Sequence, residues 1–354
     1  MAATSSGRRA TLRAELARRS GALIALSLAG LLVRLPARGA EPAARPVGVV
    51  DLHVDLPYQF GFKNAPFQRG SGQFPAAELT RAGVVGVVLP LFVPARVSPT
   101  GPRLVDLEDS FQRVAAALLQ AAPYAAPGCA DPAGRVRTFL AFEGAAPLAE
   151  APERLDDWVG RGLRSVGLVH TRNNALAGSS GDPAGNSVGL TPAGRALVQR
   201  AARLRVPVDV SHASDRATRE VLSLAREAGV PVIATHSNAR ALADVPRNLS
   251  DELIHGIAQS GGVIGVNFHS PYVIKGKRAR LADVVAQIRY LVRVAGVDHV
   301  AIGSDFEGDI NPARGLEDVR SMPKLAQALE RAGLSHDAVE RIFGRNALRV
   351  LCPR

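Results

Sequence analysis

The chain of 354 residues is poor in cysteine and contains only Cys129 and Cys352. Two thiols cannot build a disulfide framework, and their spacing does not match a zinc knuckle, so a small cysteine-stapled fold is excluded. A single bridge between the two is possible, but the sequence decides neither the pairing nor the redox compartment. The hydrophobic fraction of 47% and charged fraction of 21% are typical of a folded globular protein.

Long apolar runs are also absent. The uncharged run at residues 21–33 has only 13 residues, which is too short for a comfortable membrane span. It follows five arginines and therefore matches the core of a signal peptide, and the arginine pair directly before it resembles a twin-arginine export signal. We predict a signal peptide over residues 1–40 and an exported chain, periplasmic or extracellular, over residues 41–354. An uncleaved N-terminal anchor is the alternative, and no other stretch predicts a membrane span.

The positive charge of the chain is not arranged as a nucleic-acid surface. The 43 basic and 32 acidic side chains give a formal charge of +11, to which the first 40 residues contribute seven arginines and one glutamate. The remaining excess of +5 is scattered along the chain and forms no basic stripe interleaved with aromatic residues. Nucleic acid is therefore not an expected partner.

From residue 47 onward, short apolar runs alternate with amphipathic helical patterns. The runs predict eight strands, near residues 47–54, 84–93, 137–143, 165–170, 207–212, 231–237, 262–268 and 299–306. Helical patterns between them include residues 106–121, 192–204, 215–228, 250–260 and 281–296. Eight strand–helix units predict an α/β protein of the (β/α)₈ TIM-barrel type. A doubly wound open sheet is the alternative, but no glycine-rich phosphate loop follows the first strand.

Several predicted strands end in ionisable side chains. In the first, His53 and Asp55 are two residues apart, so they point to the same face and can ligate one divalent cation. Other strand ends carry Glu143, His170, His212, His236 and Asp305. The C-terminal ends of barrel strands meet at one mouth, so this pattern predicts two cations bridged by a carboxylate. Taken singly, each residue could instead be a helix cap, a core histidine or an ion-pair partner.

These strand ends lie within longer motifs. They are DLHVDLP at 51–57, FEG at 142–144, VHT at 169–171, VSH at 210–212, THSN at 235–238, RNLSD at 247–251, GGVIGVNF at 261–268, IGSDFEG at 302–308 and GRNALRV at 344–350. With them the chain resembles the renal or membrane dipeptidase family, the M19 metallopeptidases among the amidohydrolase-type metal-dependent barrels. The resemblance covers about residues 49–351.

The resemblance implies a binuclear site with two Zn²⁺ ions per chain. His53 and Asp55 would hold one ion, His212 and His236 the other, and Glu143 would bridge them. Nitrogen and oxygen ligands are those that zinc accepts in proteins. The implied activity is that of a metallo-dipeptidase, in which a metal-bridged hydroxide cleaves the peptide bond of a dipeptide.

Three further residues receive roles from the resemblance. His170 would contact the substrate and stabilise the tetrahedral intermediate, and Arg247 would pair with the C-terminal carboxylate of the substrate. Asp305 would also contact the substrate and would transfer protons. The expected partner is a small dipeptide, and relatives of this kind are often homodimers.

Two features depart from the family pattern. Ala145 stands where many members have a second glycine, and the segment 175–186 is rich in glycine and serine without aromatics. Because mouth loops set specificity, these departures bear on the substrate. One alternative function is hydrolysis of lactones or cyclic amides, although those relatives usually have His-x-His on the first strand and often a strand-end lysine. Another is a metal-bearing binding protein without catalysis.

Overall fold

The computed structural model describes residues 47–94, 101–130 and 132–353. The predicted signal peptide lies outside these residues. Within the described part of the chain, no helix combines the length and the apolar character that a membrane crossing requires.

One sheet contains all the strands of the described residues, and every strand pair in it is parallel. The strands are β1 Val49–Asp51, β2 Val84–Leu91, β3 Tyr124–Pro127, β4 Val136–Glu143, β5 Leu163–Gly167, β6 Val208–Asp209, β7 Val232–Ile233, β8 Ile264–Val266 and β9 Val300–Ile302. Eight of them follow the order β7-β6-β5-β4-β2-β1-β9-β8, and a single bridge between Ala234 and Ile264 joins the two ends. The predicted (β/α)₈ barrel is therefore confirmed, with several strands shorter than predicted.

Helices follow the barrel strands and cover the outside of the barrel. They are α1 Leu56–Phe62, α2 Leu104–Gln120, α3 Leu155–Gly160, α4 Gly185–Val188, α5 Pro192–Arg203, α6 Asp215–Ala228, α7 Asp251–Gln259, α8 Ser270–Val273, α9 Leu281–Ala295, α10 Met322–Arg331, α11 His336–Glu340 and α12 Asn346–Leu351. A π-helical turn, Arg341–Arg345, joins the last two. Each of the five helices predicted from periodicity is present within two residues of its predicted limits.

Serine side chains begin two of these helices. The hydroxyl of Ser214 accepts a hydrogen bond from the amide of Ala217, and the hydroxyl of Ser250 accepts one from Leu253. Each satisfies a backbone donor that a first helical turn leaves free. Because α6 and α7 are the next helices after β6 and β7, these caps fix where each helix begins and the chain turns away from the mouth of the barrel.

The interior of the barrel has its own apolar cluster, which is distinct from the larger core between barrel and helices. It contains Val50, Leu52, Val88, Phe139, Ala141, Ile233, Val263 and Ala301 from the strands or the residues next to them, with Ala347, Val350 and Leu351 from α12. The last helix therefore packs against the floor of the barrel, opposite the mouth.

One strand of the fold had no counterpart in the sequence prediction, and one disulfide had been left open by it. Strand β3 pairs with β4 outside the eight-strand path. Cys129, which follows β3, forms a disulfide with Cys352, which follows α12, and their Cα atoms are 5.7 Å apart. The question that the sequence left open is thus resolved, because the bridge fastens the helix that covers the barrel floor.

Glycines allow β7, β8 and β9 to approach one another closely beneath the mouth. A Cβ atom on Gly265 would lie 2.0 Å from the carbonyl oxygen of Thr235, and one on Gly303 would lie 1.8 Å from it. No side chain fits at either position. The two glycines therefore leave room for the carbonyl of Thr235, whose hydroxyl contacts the histidines of the site.

Candidate metal and substrate site

A cavity of about 270 Å³ opens at the C-terminal ends of the barrel strands. All eight residues singled out from the sequence lie at this mouth. Glu143 ends β4, His53 is the second residue after β1, and Arg247 lies between β7 and α7. Four residues are each the third after a strand, namely His170, His212, His236 and Asp305. Asp55 directly precedes α1.

Glu143 is at the centre of the histidines. Its Oε1 atom lies 3.0 Å from Nε2 of His212 and 3.5 Å from Nε2 of both His53 and His236. Nε2 of His170 is 3.9 Å from the same oxygen. One carboxylate that faces four imidazoles in this way can bridge two cations.

Three overlapping groups of side chains could each hold a metal ion. They are His53 with Asp55 and Glu143, Glu143 with His212 and His236, and His53 with His236 and Asp305; within each group the ligand atoms lie within 4.8 Å of one another. Nε2 of His53 is buried and has no hydrogen-bond partner among the described residues. A buried polar atom without a partner is costly, and a cation would satisfy it. The donor set therefore fits divalent metal ions.

The hydroxyl of Thr235 contacts two of these imidazoles at their Nδ1 atoms. Its hydroxyl lies 2.8 Å from Nδ1 of His236 and 3.3 Å from Nδ1 of His53, and it donates to Oδ2 of Asp209 at 2.5 Å. With its one proton directed at Asp209, the hydroxyl can only accept from the rings. In their neutral form both rings then carry their proton on Nδ1 and turn the Nε2 lone pair to the cluster, as metal-ligating histidines must; Nε2 of His236 lies 3.0 Å from Nε2 of His212 there. The sequence placed Asp209 and Thr235 at strand ends but gave them no role.

Burial and charge set the protonation of the ligand groups. Burial lowers the pKa of His212 and His236 well below the ordinary value, which favours the neutral imidazole that binds cations. Burial alone would raise the pKa of Glu143, but the neighbouring His53 and His170 lower it well below the usual range. Glu143 is therefore an anion. His53 differs from His212 and His236, because Glu143 and Asp55 raise its pKa well above the ordinary value although burial opposes this.

Asp305 is set apart from the other carboxyl groups. Burial, followed by the charge of Asp55, raises the pKa of Asp305 to about 8. Its Oδ2 accepts a hydrogen bond of 2.9 Å from Nδ2 of Asn267, and its backbone is left-handed, with a φ of 65°. A carboxyl group with a pKa near neutrality can both accept and return a proton, as a general acid and base must.

Arg247 brings an unsatisfied cation to the same cavity. The residue is 9% exposed, and its Nη1 donates to Oγ of Ser237 at 3.0 Å. Its Nε and Nη2 atoms have no hydrogen-bond partner among the described residues, and the ring of Tyr272 lies 5.8 Å from the guanidinium carbon. Burial lowers the pKa of this group, as it must for a charge withdrawn from water. Free buried donors of this kind indicate an anionic ligand.

Sequence reasoning missed the side chains that form the walls of the cavity. Tyr58, Phe92, His269, Tyr272 and Ile310 line it together with the predicted residues. The ring of Phe92 packs against that of His170, with centroids 4.4 Å apart. An aromatic residue soon after a barrel strand was the available signal for Tyr58 and Phe92.

The glycine- and serine-rich segment 175–186 has a different place from the one expected. It contributes no residue to the lining of the cavity. Ser180 instead donates a backbone hydrogen bond of 2.8 Å to the carbonyl of His212, and the hydroxyl of Ser179 donates to the carbonyl of His170. The segment supports these two histidines from outside, so the cavity walls bear more directly on substrate choice.

Comparisons with known proteins show the family to which the chain is similar. The family described as membrane dipeptidase (peptidase family M19) matches residues 38–353. A Klebsiella pneumoniae protein, described as an uncharacterized protein in the pqqA 5′ region, is 36% identical over 59% of this chain and 79% of its own length. Dipeptidase aclJ of Aspergillus oryzae is 34% identical over 62% of this chain, but the match spans only 51% of that relative. The solved dipeptidase AC, a metallopeptidase of family M19, is 26% identical with a TM-score of 0.74, over 87% of this chain and 98% of that one.

Proposed function

The chain belongs to the membrane dipeptidase family, peptidase family M19, and from this premise we propose that it is a zinc-dependent dipeptidase. The observation that carries the proposal is the convergence of four histidines on the Glu143 carboxylate beside the unsatisfied guanidinium of Arg247. Metal ligands and an anion-binding group thus share one cavity. That combination suits a small substrate with a carboxylate near its scissile bond.

Five residues would hold two zinc ions. His53 and Asp55 would bind one ion, His212 and His236 the other, and Glu143 would contact both. Imidazole and carboxylate ligands suit zinc, and Thr235 directs two of the imidazoles towards it. When bound, the ions would supply Lewis acidity and a nucleophile that is active near neutral pH.

Three residues of the chain would act on the substrate itself. Arg247 would bind the terminal carboxylate through its free Nε and Nη2 donors. Nε2 of His170 would donate to the carbonyl oxygen as charge develops there. Asp305 would take a proton at its carboxylate and return it to the leaving amine.

The size of the cavity favours a short substrate. Its volume of about 270 Å³ is below the range of roughly 300–1,000 Å³ that is usual for ligand pockets. A longer peptide would have to extend past the aromatic walls of Tyr58 and Phe92. The buried guanidinium of Arg247 adds a second restriction. A longer peptide would place an internal peptide group beside it, and that group has no negative charge to pair with the guanidinium.

Export is the proposed setting of the enzyme. The predicted signal peptide over residues 1–40 gives the reason, and the Cys129–Cys352 disulfide supports it, since such bridges persist in oxidising compartments. A homodimer stays a prediction that rests on resemblance alone.

The alternative functions have less support. Hydrolases of lactones and cyclic amides usually carry a second histidine where this chain has Asp55. A binding protein without catalysis would not need a proton-transferring carboxyl group, yet Asp305 lies beside the metal ligands. The dipeptidase is therefore the function that the site supports best.

The test is hydrolysis of a dipeptide panel that includes D-residues at the second position, with zinc and with chelator. We expect about two zinc ions per chain and turnover that the chelator stops. Asp305→Asn should keep the metal and lose roughly 10²–10⁴-fold in kcat, the usual effect of removing a general acid and base. Asp318→Asn, which alters a carboxylate paired with Arg320 outside the cavity, is the control. Bound metal without hydrolysis of any dipeptide would reject the function.

A further inference from the structure

Glu307 is a buried carboxylate that the proposed chemistry does not use. It is 0% exposed and follows Asp305 by two residues. Its Oε1 accepts hydrogen bonds from the backbone amides of Gln73 at 2.8 Å and Phe74 at 2.7 Å, and its Oε2 accepts one from the amide of Ser71. One side chain thus collects three amides from a single stretch of the connection between α1 and β2.

The surrounding chain is shaped for this carboxylate. A Cβ atom on Gly70 would lie 2.5–2.8 Å from three atoms of the Glu307 carboxyl group, so only glycine leaves room for it. The contact is also reciprocal, because the amide of Glu307 donates to Oε1 of Gln73 at 2.8 Å. The carbonyl of Glu307 accepts from Nε2 of Gln59 at 2.6 Å. The loop after β9 is therefore fastened at both backbone and side chain.

The fastened loop has an unfavourable backbone. Asp305, Glu307 and Asp309 all have left-handed conformations, with φ values of 65°, 71° and 56°. Such values are uncommon for residues other than glycine, and they persist only where the surroundings impose them. Because three of five consecutive residues have left-handed backbones, the loop needs an external restraint. The hydrogen bonds of Glu307 supply one.

The restraint bears directly on Asp305. The amide of Gly308 donates to the carbonyl of Asp305 at 3.2 Å and closes the turn. A Cβ atom on Gly308 would lie 2.8 Å from Oδ1 of Asp305 and 2.8 Å from Oδ2 of Asp55. The turn is thus wrapped against both carboxylates, so its backbone determines where the Asp305 oxygens lie.

We propose that Glu307 is a positioning residue that acts through Asp305, by fastening the turn after β9 to residues 71–74. The kinetic part of this proposal rests on the proposed dipeptidase function, in which Asp305 transfers the proton. Proton transfer requires the carboxylate within hydrogen-bond reach of the reacting groups. A loosened turn should therefore lower kcat, while Arg247 and the metal ligands keep the substrate affinity.

The test begins with Glu307→Gln in the full-length, zinc-loaded protein. Glutamine has the same shape, but its amide nitrogen faces a backbone N–H where an oxygen accepted, so at least one of the three hydrogen bonds and the negative charge are lost without a cavity. We expect kcat to fall at least about 10-fold, with KM and zinc content within about twofold of wild type. Gln73→Ala removes only the reciprocal bond and should give a smaller loss, and it serves as the probe if Glu307→Gln does not fold.

A cycle with Asp305→Asn separates positioning from general damage. If Glu307 acts through Asp305, adding Glu307→Gln to Asp305→Asn changes kcat by less than about twofold. Independent losses would multiply and overturn the proposal, as would an unchanged kcat in the single variant. Asn346→Ala is the matched control, since it removes one buried and one partly buried hydrogen bond at the barrel floor. It should lower thermal stability without lowering kcat per folded molecule.

A measurement without substrate keeps the proposal distinct from the function. Hydrogen exchange of the amides of Ser71, Gln73, Phe74 and Gly308 should be slow in the wild type and at least about 10-fold faster in Glu307→Gln. Unchanged protection in the variant would overturn the proposal even if the enzyme is active. Lost protection in a protein that cleaves no dipeptide would reject the function and leave the fastening of the turn intact.

Discussion

Replacement of Arg247 by methionine should make the protein more stable and less active. The guanidinium is 9% exposed and has a single hydrogen bond, to Ser237, while Nε and Nη2 lack partners among the described residues. A buried guanidinium with a single hydrogen bond opposes folding, although Asp305, Asp209 and Glu143 offset part of this cost, and apolar replacement of buried ionic groups is often neutral or stabilising by about 1–4 kcal/mol. We therefore expect the free energy of unfolding to rise by about 1–3 kcal/mol.

The same change should remove most of the affinity for a carboxylate. Truncation of one partner of a buried charge pair costs about 2–5 kcal/mol. At 1.4 kcal/mol per factor of ten, kcat/KM for a dipeptide with a free C-terminus should fall about 30- to 4,000-fold. The C-terminal amide of the same dipeptide lacks the charge, so its already low kcat/KM should change by less than about threefold.

Two measurements test the expected stability and activity of the Arg247→Met protein. Urea denaturation in the presence of chelator gives the free energy of unfolding without a contribution from bound metal, and steady-state kinetics compares the free dipeptide with its amide. Arg240→Met is the control, because Arg240 donates to both oxygens of Asp215, at 2.6 and 2.7 Å, and its loss should destabilise. Equal losses for acid and amide, or a less stable Arg247→Met protein, would refute the reasoning.

Three further outcomes follow from the structure. Gly308→Ala places a Cβ atom 2.8 Å from the carboxylates of Asp305 and Asp55, so kcat/KM should fall by up to about 100-fold with weaker zinc retention; normal kinetics would contradict the packing. Cys352→Ser opens a bridge across 223 residues and should cost up to about 5 kcal/mol of stability in denaturation experiments, with unchanged kcat in the folded protein. Chelation should lower the melting temperature by several degrees, and zinc should restore it, because ligands that bind only the folded state stabilise it.

Much of the site could be predicted because the barrel brings strand ends together. The apolar runs and capped helices indicated eight repeating units, and that topology alone places His53, Glu143 and Asp305 at one mouth although they are far apart in sequence. Histidine and carboxylate at strand ends then pointed to metal. This prediction did not require any distances, because the parallel strands of a closed barrel all end at the same mouth.

The remaining parts depend on contacts that periodicity does not encode. Strand β3 lies outside the repeat, and its connection to α12 through the disulfide requires that Cys129 and Cys352 meet in space. Glu307 resembles any polar residue in a loop until its three amide donors are seen. Likewise, a threonine between an alanine and a histidine just after a strand gives no sign that it orients two imidazoles.

The close backbone packing beneath the mouth affects how the effects of substitutions in this chain are interpreted. Gly265 and Gly303 contribute no atom to binding or chemistry, yet any larger residue there would push against the carbonyl of Thr235 and so against the imidazoles that its hydroxyl orients. In a complete substitution scan these glycines should be as intolerant as the metal ligands themselves. Intolerance to substitution alone would therefore not distinguish residues that bind metal or react from glycines that only leave space for them.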